Sequence, residues 1–543
     1  MESRASQKRA QRVPLLQRRL TRAVVQALFL FAFLALFVVS AVRSADADPA
    51  RLPFVLDPLV VLAASLSGRA VLPGWGWAAL GLALALGLGR VWCGWLCPVG
   101  TVLDAFSIRP RRTGPRPAAD RLRFAKHFLL LTVVVMAALG SAFLLFLDPL
   151  SLATRTLSVA VWPALNYAFG GAQAFLYRFG ILQEPLLGLE NLLRRAVLPS
   201  FQPYLRLNLL VGLIAMGIVA LEGLGARFWC RSLCPLGALL ALVSKLAFVK
   251  RRVKQNCISC GRCERICPTG AIDAGKAYES DAAECIMCLD CARACPVGAI
   301  AFPAAQAPAA RQPYDAGRRD VVGGLLAGTA LVGLFGASSE RHDSQNFLLR
   351  PPGALDPEFL DKCIRCGECM RACPTAALHP ALFQAGLEGL FSPLLVPRLG
   401  YCDYSCNRCG QVCPTGAIPP LDLETKRLWV NGQAYIDEQR CIPWTGDGQC
   451  SVCEEMCPVP VKAIWLEEVE IQREDGARFT VRRPHVRRHL CIGCGTCENK
   501  CPVSGEAAIR VHVAGAERLQ ARLIGSGRGR GAGQSQSGER AEP

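Results

Sequence analysis

The chain has 543 residues, is 52% hydrophobic and carries a formal charge of +18 at neutral pH, so it has room for several domains. Its apolar residues crowd into the first 250 positions and again into 321–337, which excludes one large water-soluble core and points to membrane. The excess charge is mostly arginine flanking those stretches, which favours the positive-inside pattern of membrane proteins and argues against a nucleic-acid-reading domain.

Residues 1–22 are polar and hold seven lysines and arginines. Residues 23–42 form an apolar span of bilayer length. It exceeds the roughly 7–15 residue core of a cleavable signal peptide, so a retained anchor is expected. Further spans are expected at 75–92, 127–147 and 207–224. Basic clusters lie before the first span, between the second and third (Arg109, Arg111, Arg112, Arg116, Arg121, Arg123, Lys126) and after the fourth (Lys245, Lys250, Arg251, Arg252, Lys254). That alternation sets both ends of a four-span unit in the cytoplasm.

The unit reads as an internal duplication. Leu56-Asp57-Pro58-Leu59 recurs as Leu147-Asp148-Pro149-Leu150, and the ending Arg90-Val91-Trp92-Cys93-Gly94-Trp95-Leu96-Cys97-Pro98 recurs as Arg227-Phe228-Trp229-Cys230-Arg231-Ser232-Leu233-Cys234-Pro235. Repeats of equal topology bring Cys93, Cys97, Cys230 and Cys234 to one membrane face, where four thiolates suit a cluster or another thiophilic metal; packed thiols or two disulfides are the alternatives. Asp57 and Asp148 are helix N-caps ahead of proline, or proton acceptors at the outer face. Arg90 and Arg227 are interface anchors, or countercharges to a cluster.

The other 24 of the 28 cysteines fall into six quartets. Four follow C-x2-C-x2-C-x3-C-P: Cys257/Cys260/Cys263/Cys267, Cys285/Cys288/Cys291/Cys295, Cys363/Cys366/Cys369/Cys373 and Cys491/Cys494/Cys497/Cys501. Two are stretched: Cys402/Cys406/Cys409/Cys413 and Cys441/Cys450/Cys453/Cys457. This spacing is that of bacterial ferredoxins, whose thiolates hold 4Fe-4S cubes. It is too tight for a disulfide framework, and structural zinc uses separated C-x2-C pairs. Six clusters are therefore expected, with the C-x3-C-P cysteines as candidates for a seventh. In two-cluster ferredoxins the fourth cysteine of each run serves the partner cube, so one cube takes Cys257, Cys260, Cys263 and Cys295, and the other Cys285, Cys288, Cys291 and Cys267. The eight residues between Cys441 and Cys450 are either a longer loop around an intact cube or a site of altered potential.

The expected fold is a membrane α-helical domain of four spans with internal duplication, joined to α+β bacterial ferredoxin-like domains. The boundaries are a basic cytoplasmic N-terminus (1–22), a membrane domain (23–250), a two-cluster ferredoxin (251–301), a linker (302–338), a four-cluster ferredoxin (339–515) and a low-complexity tail (516–543). Arg318-Arg319 precedes the uncharged stretch 321–337 and looks like a twin-arginine export signal, followed here by Asp-Val-Val-Gly-Gly. The stretch is read as a fifth span, with a buried or membrane-lying hairpin as the alternative. No C-x2-C-H haem attachment motif occurs, and His127 is the sole histidine of the four-span unit, so the expected carrier in the membrane is quinone.

Residues 23–300 resemble NapH, the membrane quinol dehydrogenase subunit of periplasmic nitrate reduction. Residues 317–510 resemble its partner NapG and the methylamine-utilisation ferredoxins. The resemblance implies a fusion that oxidises quinol from the pool in the bacterial inner membrane. Electrons would then reach a periplasmic reductase or cytochrome, with the second ferredoxin region on the periplasmic side. It further implies that the outer distal quartets exchange fourth ligands (Cys373 with Cys501), as do the inner ones (Cys413 with Cys457). Its partners are then the quinone pool, membrane lipid and a redox protein, with no nucleic acid. The alternatives are an accessory ferredoxin that matures a periplasmic metalloenzyme, or electron flow in reverse toward quinone. One tension follows: about 30 Å of hydrocarbon would separate cytoplasmic from periplasmic clusters, and no haem in the chain bridges it.

Overall fold

A computed structural model describes residues 15–42, 51–72, 74–107, 122–178, 183–196, 204–304, 318–339, 348–355, 358–472 and 478–513. The basic stretch 1–14, Arg109 to Arg121, the linker core 305–317 and the tail from 514 lie outside them. The chain divides into two compact units, one of Met1–His342, Ala354–Leu394 and Arg408–Pro420, the other of Asp343–Gly353, Leu395–Asn407 and Leu421–Pro543.

In the first unit a helix covers part of every predicted span, but only the first is long. Leu15–Val42 runs 28 residues and contains the one described segment, Leu20–Ser40, long and apolar enough to cross a bilayer. The other three predicted spans are shorter as helices than expected: Trp75–Leu88, Ala125–Ala138 and Asn208–Ala220 have 14, 14 and 13 residues. At 1.5 Å per residue each is about 20 Å long, short of the hydrocarbon thickness. Glycine accounts for two of these ends: Gly89 (φ +72°) closes the second helix and Gly140 (φ +96°) follows the third. Short helices fill the remainder. Pro58–Ser67 and Pro149–Arg155 begin at the duplicated Asp-Pro, and Pro98–Phe106 and Pro235–Ser244 begin at the duplicated Cys-Pro. The core of the unit, including Leu59, Leu103, Met136, Leu145, Leu150, Leu236 and Leu240, is almost fully shielded.

Residues Arg318–Ser339 form one continuous helix rather than a hairpin. It packs on Ala125–Ala138 through small residues: a Cβ at Gly324 would lie 2.7 Å from Leu131 and one at Gly328 2.7 Å from Val135. This is the close helix approach that small-xxx-small patterns permit.

The 251–301 region is a small α+β unit, with Arg252–Val253 paired antiparallel to Ile300–Ala301. In the second unit, Gln433–Ile436 pairs with Ile509–His512, and Ile464–Gln472 with Arg478–Val486 in a hairpin of nine-residue strands. The ferredoxin-like α+β parts match the expected class, and the helical domain is built from shorter pieces than four simple spans.

Candidate metal centres

The four regular quartets share one backbone device. The residue before the second cysteine and the residue after it are both left-handed: Ser259 and Gly261, Met287 and Leu289, Arg365 and Gly367, Gly493 and Gly495. Four of these eight are not glycine, a conformation that costs an L-residue roughly 1–2 kcal/mol. Alternating right- and left-handed residues turn successive N–H groups inward into a concavity that binds anions, as around iron–sulfur clusters. After the fourth cysteine, a second turn aims an N–H at its sulfur: Ala271 to Cys267 (3.3 Å), Ala299 to Cys295 (3.2 Å), Ala377 to Cys373 (3.3 Å) and Ile418 to Cys413 (3.4 Å). Such bonds favour the thiolate.

The cysteines converge as sets of four. Cys257, Cys260, Cys263 and Cys295 line one cavity, and Cys267 approaches Cys285, Cys288 and Cys291. This is the exchange that the spacing predicts. In the second unit Cys441, Cys450, Cys453 and Cys501 line a cavity, and Cys457 approaches Cys491 and Cys494. In the first unit Cys413 approaches Cys366 and Cys369. The expected exchanges of Cys373 with Cys501 and Cys413 with Cys457 are thus corrected: Cys501 and Cys457 swap between the last two quartets, and Cys413 joins Cys363, Cys366 and Cys369. The last two quartets thus exchange as neighbours in sequence, as in the 251–301 region. Cys402 and Cys406 belong to the second unit, Cys409 to the first. The insertion after Cys441 folds into a short helix, Ile442–Thr445, pinned by the Trp444 indole to the Pro484 carbonyl (3.2 Å), and it returns Cys450 to the same cavity.

None of the 28 cysteines forms a disulfide. Among the described residues no His, Cys, Asp or Glu group is drawn tight enough for a single metal ion. The donor sets, the concave loops and the N–H bonds to sulfur fit 4Fe-4S cubes.

The C-x3-C-P cysteines form a further site. Cys93, Cys97, Cys230 and Cys234 line a cavity closed by Trp92, Val99, Pro149, Trp229 and Leu236. Cys93 lies in a π-helical turn, Trp92–Leu96, and Cys230 in the α-helical Phe228–Ser232, so the duplication is imperfect at its centre. Cys234 accepts from Gly237 N–H at 3.2 Å. Burial and the neighbouring sulfurs push the Cys97, Cys230 and Cys234 thiols up, Cys230 to about 11. Four such thiolates need a cation to exist side by side.

Arg90 and Arg227 are each 1% exposed, so they are internal groups at this cavity and not interface anchors. The pair crosses over between repeats: Arg90 Nη2 lies 3.0 Å from where a Gly237 Cβ would stand, and Arg227 Nη1 3.3 Å from a Gly100 Cβ. Arg227 donates to the Cys93 carbonyl and to Asp104, whose carboxyl is pushed up by burial but held down to about 2 overall by Arg227 and Arg22. Arg90 donates to the Ala283 carbonyl and Glu284, while its Nε and Nη2 have no hydrogen-bond acceptor. Unpaired buried guanidinium nitrogen beside four sulfurs suits a negatively charged cluster.

Asp57 and Asp148 cap their helices as expected: Asp57 accepts from Leu59 and Val60, and Asp148 from Leu150 and Ser151. They are also fully buried and close to each other, with Asp57 Oδ2 and Asp148 Oδ1 left without a hydrogen-bond partner. Burial pushes Asp57 up to about 6, and burial with the Asp57 charge pushes Asp148 well above the ordinary carboxylate value. Burial and a neighbouring carboxylate both favour the protonated acid. The sequence shows neither this pairing nor Glu284 and Asp104 as parts of the sites; these depend on contacts between distant segments.

Comparison with known proteins finds iron–sulfur domains along much of the chain. A 4Fe-4S binding domain matches residues 72–116 and 207–255, which contain all four C-x3-C-P cysteines. A 4Fe-4S dicluster domain matches 256–299, and further 4Fe-4S binding domains match 359–379 and 488–504. The methylamine utilization ferredoxin-type protein MauM of Methylorubrum extorquens is 36% identical over 189 residues, 34% of this chain and 80% of its own. MauM of Methylophilus methylotrophus is 35% identical over 193 residues, 34% of this chain and 80% of its own. The ferredoxin-type protein NapG of Escherichia coli is 36% identical over 203 residues, 36% of this chain and 82% of its own. No solved structure matches.

Proposed function

From the premise that this chain belongs to the ferredoxin-type proteins that include MauM and NapG, we propose that it is held in the bacterial inner membrane, oxidises quinol and delivers electrons to a periplasmic reductase or cytochrome. Iron–sulfur electron transfer is the part common to the whole family. The membrane part rests on the apolar helix Leu20–Ser40, and the quinol part on one observation: two buried carboxyls, Asp57 and Asp148, lie together, and Asp148 directly precedes Pro149, which lines the four-thiol cavity. Quinol yields two protons and two electrons, so its oxidation needs a proton acceptor beside an electron acceptor.

In this reading, the thiolates hold the cubes, which supply one-electron chemistry when bound. Cys93, Cys97, Cys230 and Cys234 hold one, with Arg90 and Arg227 offsetting its negative charge. Cys257, Cys260, Cys263 and Cys295 hold another, as do Cys285, Cys288, Cys291 and Cys267. Cys363, Cys366, Cys369 and Cys413, then Cys441, Cys450, Cys453 and Cys501, then Cys491, Cys494, Cys497 and Cys457 hold three more. Cys373, Cys402, Cys406 and Cys409 remain outside these six sets, and the 28 cysteines number seven sets of four. Asp57 and Asp148 accept the quinol protons in turn. The short helices span the bilayer in tandem, their breaks covered by protein, as in transporters with discontinuous helices.

The test is anaerobic addition of quinol to the purified chain in liposomes. Cluster absorbance bleaches if the chain is a quinol dehydrogenase. No bleaching by quinol, with normal reduction by dithionite, refutes this reading and favours the maturation role. Reduction of added quinone by dithionite-reduced protein, without the forward reaction, places the flow in reverse.

A further inference from the structure

The four-thiol site touches one cluster loop and is joined to a second by a short helix. On one side Gly94, between Cys93 and Cys97, abuts the Ile286 carbonyl so closely that no Cβ fits, and the Trp95 indole donates to the Met287 carbonyl at 3.0 Å. Ile286 and Met287 are the two residues between Cys285 and Cys288. On the other side Pro149 lines the cavity and opens the helix Pro149–Arg155. At the far end of that helix, the backbone of Gly367 rests on it: a Cβ there would stand 3.6 Å from Arg155 Cα and 3.4 Å from Ser158 Cβ. Gly367 follows Cys366 directly. The loop is also fastened by Arg365, which donates to the Ala142 carbonyl (2.9 Å) and stacks over Phe143.

Arg155 occupies the join. It is 2% exposed, donates to the Phe146 carbonyl and lies over the rings of Phe391 and Phe146, while its Nε and Nη1 have no acceptor. Its charge faces Cys366. Arg155 therefore stands to the Cys366 loop as Arg90 stands to the four-thiol cavity: a buried cation with open donors beside sulfur. Pro149 to Arg155 is six residue steps, about 9 Å of helix rise.

We propose that the centre on Cys93, Cys97, Cys230 and Cys234 is a junction that passes electrons between the first ferredoxin and the cluster on Cys363, Cys366, Cys369 and Cys413, with the helix Pro149–Arg155 as the bridge. The proposal rests on the iron–sulfur reading of the four-thiol site but not on quinol. Cys93, Cys97, Cys230 and Cys234 would hold the donor centre and Cys363, Cys366, Cys369 and Cys413 the acceptor; when bound, these would supply a one-electron exchange in which no bond forms or breaks and no proton moves. Tunnelling falls steeply with distance, and the helix rise between the cavity wall at Pro149 and the Gly367 contact at Arg155 is only about 9 Å.

The test is paramagnetic resonance of the full chain in detergent, poised with dithionite and mediators and without quinol. Arg155→Gln removes the charge beside Cys366 and marks that cluster by lowering its potential. The Cys366 signal is expected to broaden and relax faster once the junction is reduced, and to return to a simple, slowly relaxing spectrum in Cys93→Ser/Cys230→Ser. A Cys366 signal unaffected by reduction of the junction overturns the proposal. If the double variant does not fold, saturation of the wild-type signal at successive potentials decides between the same two outcomes. Coupled signals in a chain inert to quinol would leave the junction standing and remove only the dehydrogenase reading.

Discussion

Glu284 is the residue on which the docking of the first ferredoxin to the helical core depends. Its two oxygens meet Lys126 at 2.6 Å and Arg90 at 3.2 Å, and the three side chains are 7%, 0% and 1% exposed. In Glu284→Gln both cations lose their countercharge while remaining buried. Breaking a buried pair costs about 3–5 kcal/mol, and the amide oxygen still accepts one hydrogen bond, so about 3 kcal/mol is expected. That corresponds to roughly a hundredfold shift toward the undocked state. Hydrogen exchange of the backbone around 281–290 in the purified chain reads it directly as a loss of protection of that order. Adding Lys126→Met should restore part of the loss, because removing both charges costs less than stranding one. Protection within threefold of wild type in Glu284→Gln would refute the argument. The pH dependence has a definite sign. Burial alone would raise the Glu284 carboxyl, but Arg90 and Lys126 outweigh it and hold it below the usual range. Its contribution is therefore complete above about pH 4.3 and is lost as pH falls through the lower folded value.

Three further outcomes are expected. Asp57→Asn, which keeps an N-cap but removes one buried carboxyl, should slow quinol-driven bleaching by about a hundredfold or more while dithionite reduction is unchanged; equal rates would leave Asp57 as a cap alone. Gly94→Val places side-chain atoms against the Ile286 carbonyl and should cost about 1–3 kcal/mol of docking stability, read by the same exchange protection; no change would mean the contact is slack. Trp444→Phe removes the indole bond to Pro484 and should cost about 1 kcal/mol, seen as earlier thermal loss of cluster absorbance, with iron content unaltered.

The cluster ligands were legible because they are local: three cysteines within seven residues fold one loop whatever surrounds it, and the exchange of Cys267 with Cys295 spans under thirty residues. The distal pairing was not legible, because Cys373, Cys413, Cys457 and Cys501 are alike in sequence and only tertiary contact tells which set each completes. The apolar stretches located the helices but not their ends, where Gly89, Gly140 and the Asp-Pro and Cys-Pro starts divide the run. Asp57 and Asp148 were visible as caps, whereas their meeting needs both repeats in place. Arg155 carried no signal at all, since its meaning comes from Cys366, more than two hundred residues away.

The most direct test of the whole account is the iron and acid-labile sulfide content of anaerobically purified protein, with and without the C-x3-C-P thiols. Seven cubes predict about 28 irons and as many sulfides per chain, falling by about four of each in Cys93→Ser/Cys230→Ser. Zinc in place of iron, or iron without sulfide, would contradict it, and a variant that keeps the full wild-type count would remove the seventh centre and the junction built on it.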